Sequence, residues 1–175
     1  IGLMSDKLHI VPVSHPAFNA PIQPFEFESD VDRHELVKEM TEIMQKAGAA
    51  GLAANQLGLE HRVFVLNTEP EVLACFNPRI VHESPEFAVL EEGCLSYPGM
   101  WVKIRRPAWI RVRFQDVNGV MQTENLNKMP ARAFMHELDH LDGVNYLMRA
   151  KKIHLDKAKR KMKLIDRKLK RMQLA

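Results

Sequence analysis

A chain of 175 residues, 46% hydrophobic and 27% charged, is long enough to bury a core and too apolar to be a disordered or fibrous protein. No apolar run is long enough to cross a bilayer, which excludes a transmembrane helix; two cysteines, Cys75 and Cys94, make a disulfide framework unexpected and a reducing compartment (cytoplasm or organelle matrix) the default. The net charge of +3 conceals a split: residues 151–175 carry 11 Lys/Arg against 2 Asp, and the preceding 150 residues carry 14 basic against 20 acidic side chains.

From the N-terminus, Ile1–Val13 lacks the basic, apolar and small-residue zones of a secretory leader. Ile1-Gly2-Leu3 reads as an added leader, with a natural start expected at Met4. Pro12, Pro16, Pro21 and Pro24 predict an extended arm lying on the body. Asp30 or Asp32 can cap a helix running to about Ala47, with Val31, Leu36, Met40 and Ile43/Met44 facing inward. The small-residue stretch 48–56 ends that helix and lets backbone approach something closely.

Short β-like runs follow at 62–66, 73–81, 87–90, 102–105 and 109–115, and Asn118-Gly119 signals a hairpin into 120–126. Pro130 opens a helix that runs through Phe134 and His140 to about Asp142, where Gly143 stops it. Leu155, Ala158, Met162, Ile165, Leu169 and Met172 recur at spacings of three and four, one apolar stripe on a second long helix. This order predicts an α+β fold, antiparallel sheet packed around the His136–His140 helix, with a long C-terminal helix. No repeat or linker divides it. Residues 1–150 are expected to form a catalytic metallohydrolase domain, and 151–175 a basic amphipathic helix within or appended to it.

The chemistry concentrates in His136-Glu137-Leu138-Asp139-His140. Residues four apart share a helix face, so both imidazoles can reach one ion, and Glu137 beside the first can address a water there. The third ligand is then the decisive question. A metzincin pattern needs His where Tyr146 stands, and no Glu follows Glu137 to serve downstream. His154 and Asp156 lie too near, in a basic helix. Upstream, Cys94 ends a β-like run after Gly93, and a thiolate suits zinc or ferrous iron. Its plain alternative is a small buried apolar residue, the reading preferred for Cys75.

Three segments, Gly51-Leu52-Ala53-Ala54-Asn55-Gln56, Glu92-Gly93-Cys94-Leu95-Ser96 and His136-Glu137-Leu138-Asp139-His140, resemble the three motifs of the peptide deformylases in order and separation. The likeness spans roughly residues 10–150. It implies removal of the formyl group from formyl-Met nascent peptides, with Cys94, His136 and His140 as metal ligands and Glu137 as acid/base. It further implies Gln56 and the Leu95 N–H at the oxyanion, and Gly51, Ala50 and Gly93 along the peptide. The implied cofactor is one divalent metal ion, Fe2+ by preference, with Zn2+, Ni2+ or Co2+ able to occupy the site. Glu92 is expected to pair with Arg106. Two departures concern substrate contacts: Ala49 stands where a second Gly is usual, and Phe18-Asn19 where the arm commonly has Arg.

The substrate methionine needs an apolar pocket, for which Leu95, Tyr97, Met100, Trp101, Phe134 and Met135 are candidates. The runner-up functions are a zinc endopeptidase of another family, which needs a different third ligand that the sequence does not show, and a metal-stabilised RNA-binding module with an inactive site; loss of turnover without loss of metal in a Glu137 variant separates an enzyme from that structural module. The basic tail has two compatible uses, packing its stripe on the body and contacting ribosomal RNA through phosphates. A membrane-surface role is disfavoured by its lack of aromatics.

Overall fold

The computed structural model describes residues 8–174; the expected leader Ile1-Gly2-Leu3 and start at Met4 lie outside them. The proline-rich arm is extended as expected. It is tied to the body by backbone bonds from Val11 N–H to the Gln56 carbonyl and from Ile22 N–H to the Leu141 carbonyl. It makes one turn of 3-10 helix at Pro16–Phe18, where the His15 ring accepts the Ala17 N–H.

Helix α1 spans Arg33–Lys46. The Asp32 carboxylate accepts the Glu35 N–H at 3.1 Å, satisfying one of the free donors of the first turn. Leu36, Met40 and Met44, spaced by four, form its buried face. Strands β1 (Gly51–Ala53), β2 (Val63–Asn67), β3 (Val72–Glu83), β6 (Trp109–Gln115) and β7 (Met121–Asn127) form an antiparallel sheet in the order β1-β2-β3-β6-β7. The Asn118-Gly119 signal lies in the β6–β7 hairpin, in a loop whose Asp116 carboxylate accepts the N–H groups of Asn118 and Val120.

Strands β4 (Phe87–Cys94) and β5 (Tyr97–Pro107) pair into a separate two-stranded ribbon, with a register shift between Glu92 and Cys94. Both are longer than their apolar runs. Pro98, Gly99 and Pro107 look like breakers in the sequence, but an edge ribbon tolerates residues that cannot donate to a second neighbour. On β5 the inward positions Val102, Ile104 and Arg106 alternate with exposed ones.

Helix α2 spans Lys128–Leu141, with Pro130 in its first turn, and buries ten residues. It packs against Phe64, Leu66, Cys75, Ile110, Val112 and Phe114 on one face of the five-stranded sheet. On the opposite face α1 packs against Leu52, Val63, Val65 and Phe76. The result is the predicted α+β arrangement around the HExxH helix. Helix α3 (Lys152–Leu174) is the long C-terminal helix, and no helix among the described residues is long and apolar enough to cross a membrane.

The apolar stripe of α3 is used over only part of its length. Leu155 and Ala158 pack with Val102, Ile104 and Tyr146. Ile165, Leu169 and Met172 are 45%, 52% and 74% exposed. At about 1.5 Å per residue a helix of this length outruns the β5 surface beneath its first turns.

Candidate metal centre

One group of metal-ligating side chains comes together among the described residues, and it is Cys94, His136 and His140. The histidines stand one turn apart on α2, 8% and 1% exposed, with ring centroids 5.0 Å apart. Cys94 arrives from the last residue of β4, its Sγ 3.3 Å from His140 Nε2. One donor atom from each of the three lies within 4.8 Å of the others. A thiolate with two imidazoles suits zinc or ferrous iron, whereas calcium and magnesium prefer oxygen. The residues present therefore fit a divalent transition-metal ion.

Glu92 sits two residues before Cys94 and is itself buried. Its Oε1 lies 2.9 Å from His136 Nδ1 and 3.0 Å from Arg106 Nη2; its Oε2 lies 2.6 Å from Arg106 Nε and 2.7 Å from Arg132 Nη1. With Nδ1 engaged, Nε2 is the His136 nitrogen left to the cluster, the arrangement usual for a carboxylate behind a ligating histidine. The expected Glu92–Arg106 pair is thus present, and it is part of a wider network. Arg106 also reaches Asp139 at 2.9 Å, and Asp139 takes Arg149 at 2.9 Å. Arg132 and Asp139 were missed by the sequence reading, although Arg132 is four residues before His136 and so shares the metal face of α2.

Burial and neighbouring charges shift the titration of the groups around the cluster. Burial works to lower the His136 imidazole, but hydrogen bonding to Cys94 and Glu92 and the nearby Glu137 carboxylate overcome it and raise it to about 10. His140 is driven down by burial and by the positive charge of His136 and Arg106. Burial works to raise Glu92, yet its hydrogen bonds from His136 and Arg106 hold it at about 2. Glu137 is raised to about 7, chiefly by burial, and its Oε2 is enclosed without a hydrogen-bond partner.

A cavity of about 470 Å³ opens onto these groups. One wall is the strip 47–51 and the other is 91–95, with Tyr97, Met100 and Trp101 at its rim. Ala50, Gly51, Gly93, Leu95 and Tyr97 all line it, as do Gln56 and Glu137. A Cβ added to Gly51 would lie 2.9 Å from Glu137 Cγ, and one added to Gly93 would lie 2.9 Å from the Trp101 ring, so both positions are kept bare by close approach. Gln56 Oε1 accepts the Ala53 N–H at 3.0 Å, which turns Nε2 toward Cys94 Sγ (3.5 Å) and Ser96 Oγ (3.0 Å).

Two pocket candidates lie elsewhere. Phe134 is fully buried and meets Phe64 edge to face in the core, and Met135 belongs to the same core cluster. Phe134 is two residues from His136, about 200° around the helix, and so cannot share its face. Cys75 is also fully buried, its thiol raised well up by burial, as expected for a core residue. The sequence reading also missed the packing of the ligand rings. Phe18 of the arm lies 5.3 Å from the His140 ring, and Tyr146 lies 5.4 Å from His136 with its hydroxyl donating to the Met100 carbonyl. Asn55 donates to the His140 and Ala17 carbonyls, clamping α2 to the arm.

Comparison with known proteins places this geometry. Residues 7–156 match the family model described as polypeptide deformylase. The peptide deformylase of Thermotoga neapolitana is 43% identical over 115 residues, covering 66% of this chain and 70% of that protein. That of Novosphingobium aromaticivorans is 34% identical over 170 residues, covering 83% and 86%. The crystal structure of the Thermotoga maritima peptide deformylase superposes with a TM-score of 0.78 at 34% identity, covering 82% of this chain and 97% of that one.

The Glu92 network makes a pH-dependent contribution to stability. Glu92 titrates at about 2 in the fold, below the 4.5 of the free group. Its contribution is therefore complete above the unfolded value and is lost as pH falls through the folded one. Chemical denaturation should find Glu92→Gln about 3 kcal/mol less stable than the parent at pH 6 and about half that at pH 3. A difference that does not shrink with acid would mean that the carboxylate charge is not what stabilises the network.

Proposed function

The chain belongs to the peptide deformylase family and removes the formyl group from the N-terminal formyl-methionine of nascent polypeptides, releasing formate; we propose that it does so with Cys94, His136 and His140 holding one divalent ion and Glu137 moving the proton. Fe2+ is the ion we assign, with Zn2+, Ni2+ or Co2+ able to take its place, because one thiolate and two imidazoles suit all four. When bound, the ion supplies a Lewis acid that polarises the formyl oxygen and makes a water nucleophilic near neutral pH.

The residues divide the remaining work. Water adds to the formyl carbon and the C–N bond breaks; Glu137 takes the proton from the water and gives it to the departing amine, so formate and a free N-terminus result. The observation that carries this reading is the buried Glu137 carboxylate beside the Cys-His-His cluster, with its Oε2 free of any hydrogen-bond partner and its titration raised by burial to about 7. A carboxyl that titrates close to the working pH exchanges protons in both directions. Gln56 Nε2 and the Leu95 N–H are assigned as donors to the developing oxyanion. Gln56 is suited to this because its other end is tied to Ala53 and cannot swing away. Ala50, Gly51 and Gly93 are assigned to the peptide backbone, and Leu95, Tyr97, Met100 and Trp101 to the methionine side of the cavity. Phe134 has no part in it.

The direct test is formate release from a formyl-Met peptide by anaerobically metallated protein, with an acetyl-Met peptide and Glu137→Ala alongside. We expect the variant to retain its metal and lose roughly 10²–10⁴-fold in rate, and the acetyl peptide to be barely cleaved. No formate from fully metallated protein would overturn the reading.

The basic segment 151–175, which carries helix α3, is assigned to ribosome contact. Its support is its 11 Lys/Arg and the exposure of α3 beyond Met162. Co-sedimentation with ribosomes should weaken steeply as salt rises. Absent or salt-insensitive binding would remove this assignment while leaving the deformylase reading intact.

A further inference from the structure

The five-stranded sheet is covered unevenly. α2 packs on one face, from β1 across to β7. On the other face α1, with Phe25, packs on β1, β2 and Phe76 of β3. The β3–β6–β7 part of that second face is open to solvent, and arginines and an aromatic pair lie on it.

Register places Arg79 opposite Arg113 and His82 opposite Arg111. Across β7, Arg113 faces Thr123 and Arg111 faces Asn125. Directly opposed residues of antiparallel strands share a face, and Trp109, two residues before Arg111, joins them. The Trp109 and His82 rings lie 5.4 Å apart, tilted at 36° to each other. Trp109, His82, Arg111, Arg113, Thr123 and Asn125, with Val81, line a shallow depression of about 790 Å³ that contains no carboxylate.

The arginines on this face have no partners. Among the described residues, the side chains of Arg79, Arg111 and Arg113 make no ion pair or hydrogen bond. Arg113 Nε is enclosed without an acceptor. Like charges directly opposed across a sheet destabilise it, so Arg79 and Arg113 facing each other leave a positive field that an anion would relieve. A metal or small anion would not use the two rings. An acidic peptide would use the arginines but has no need of the neighbouring aromatic pair. Phosphates spaced along a strand of planar bases use both.

We propose that the outer face of β3, β6 and β7 is a docking surface for single-stranded RNA. Bases stack on Trp109 and His82, phosphates lie against Arg79, Arg111 and Arg113, and Thr123 and Asn125 offer hydrogen bonds to ribose hydroxyls. This surface is separate from the deformylation site and from the basic tail.

The test titrates full-length metallated protein with a labelled oligouridylate of about ten nucleotides, a length within the ~4–16-nucleotide site sizes of single-strand binders. Anisotropy is followed at several salt concentrations. Trp109→Ala should weaken binding roughly 5- to 100-fold through lost stacking. R111Q/R113Q should lower the slope of log affinity against log salt by about 1.4, two cations at ~0.7 each. The tail variant K159Q/K163Q/K170Q should keep the dependence on Trp109. Binding that ignores Trp109→Ala and R111Q/R113Q and falls only in the tail variant overturns the proposal. Binding of polyglutamate as tight as that of RNA, and insensitive to Trp109→Ala, also overturns it. None of these residues touches the metal centre, so unchanged formate release certifies the fold and separates failure of this surface from failure of the catalytic reading.

Discussion

A single buried carboxylate organises the centre. Glu92 is 5% exposed and receives Arg106, Arg132 and His136 at 2.6–3.0 Å. A charge removed from water costs several kcal/mol unless its partners are close and its lone pairs filled; here two guanidinium groups and an imidazole fill them. Those partners come from β5 and from two turns of α2, and Glu92 itself precedes Cys94 on β4. The ribbon that carries the thiolate and the helix that carries the imidazoles are therefore fastened at one point. Asp139 extends the fastening through Arg106 to Arg149, just ahead of α3.

Around this point the remaining contacts fix orientation. Phe18 and Tyr146 bear on the two ligand rings, and the Asn55 amide holds the α2 backbone at His140 to the arm at Ala17. The β1 strip presses against Glu137 closely enough that Gly51 has no room for a Cβ. Glu137 is thereby enclosed, and enclosure is what lifts its carboxyl toward neutral pH. Structure and reactivity share one cause, the close packing of β1 against α2.

Much of this was legible in the sequence, for identifiable reasons. Two histidines four apart share a helix face whatever surrounds them, whereas Cys94, which could equally have been a small core residue, stood out as a ligand through its place in the second of three ordered motifs. The Asp32 cap and the Leu36–Met40–Met44 face follow from spacing alone. Phe134 was misplaced because its apolar character was weighed and its angle around the helix was not. Arg132 was passed over because an arginine on a helix usually faces water, and only a buried Glu92 brings it inside. The α3 stripe shows which face is apolar but carries no information on how far the body extends beneath it. The uncovered arginines of β6 were hidden in an ordinary alternating strand, since their lack of partners depends on where α1 ends.

The most direct test of this account is the metal affinity of Glu92→Gln. The substitution keeps size and shape, replaces no ligand, and removes the charge behind His136. Cobalt titrated against a competing chelator reports affinity, and the thiolate-to-cobalt absorption reports whether Cys94 still binds. The account predicts a loss of about 10- to 100-fold in affinity with the fold retained. An unchanged affinity and spectrum would contradict it, and would mean that the ligands are held by their helix and strand without the carboxylate that links them.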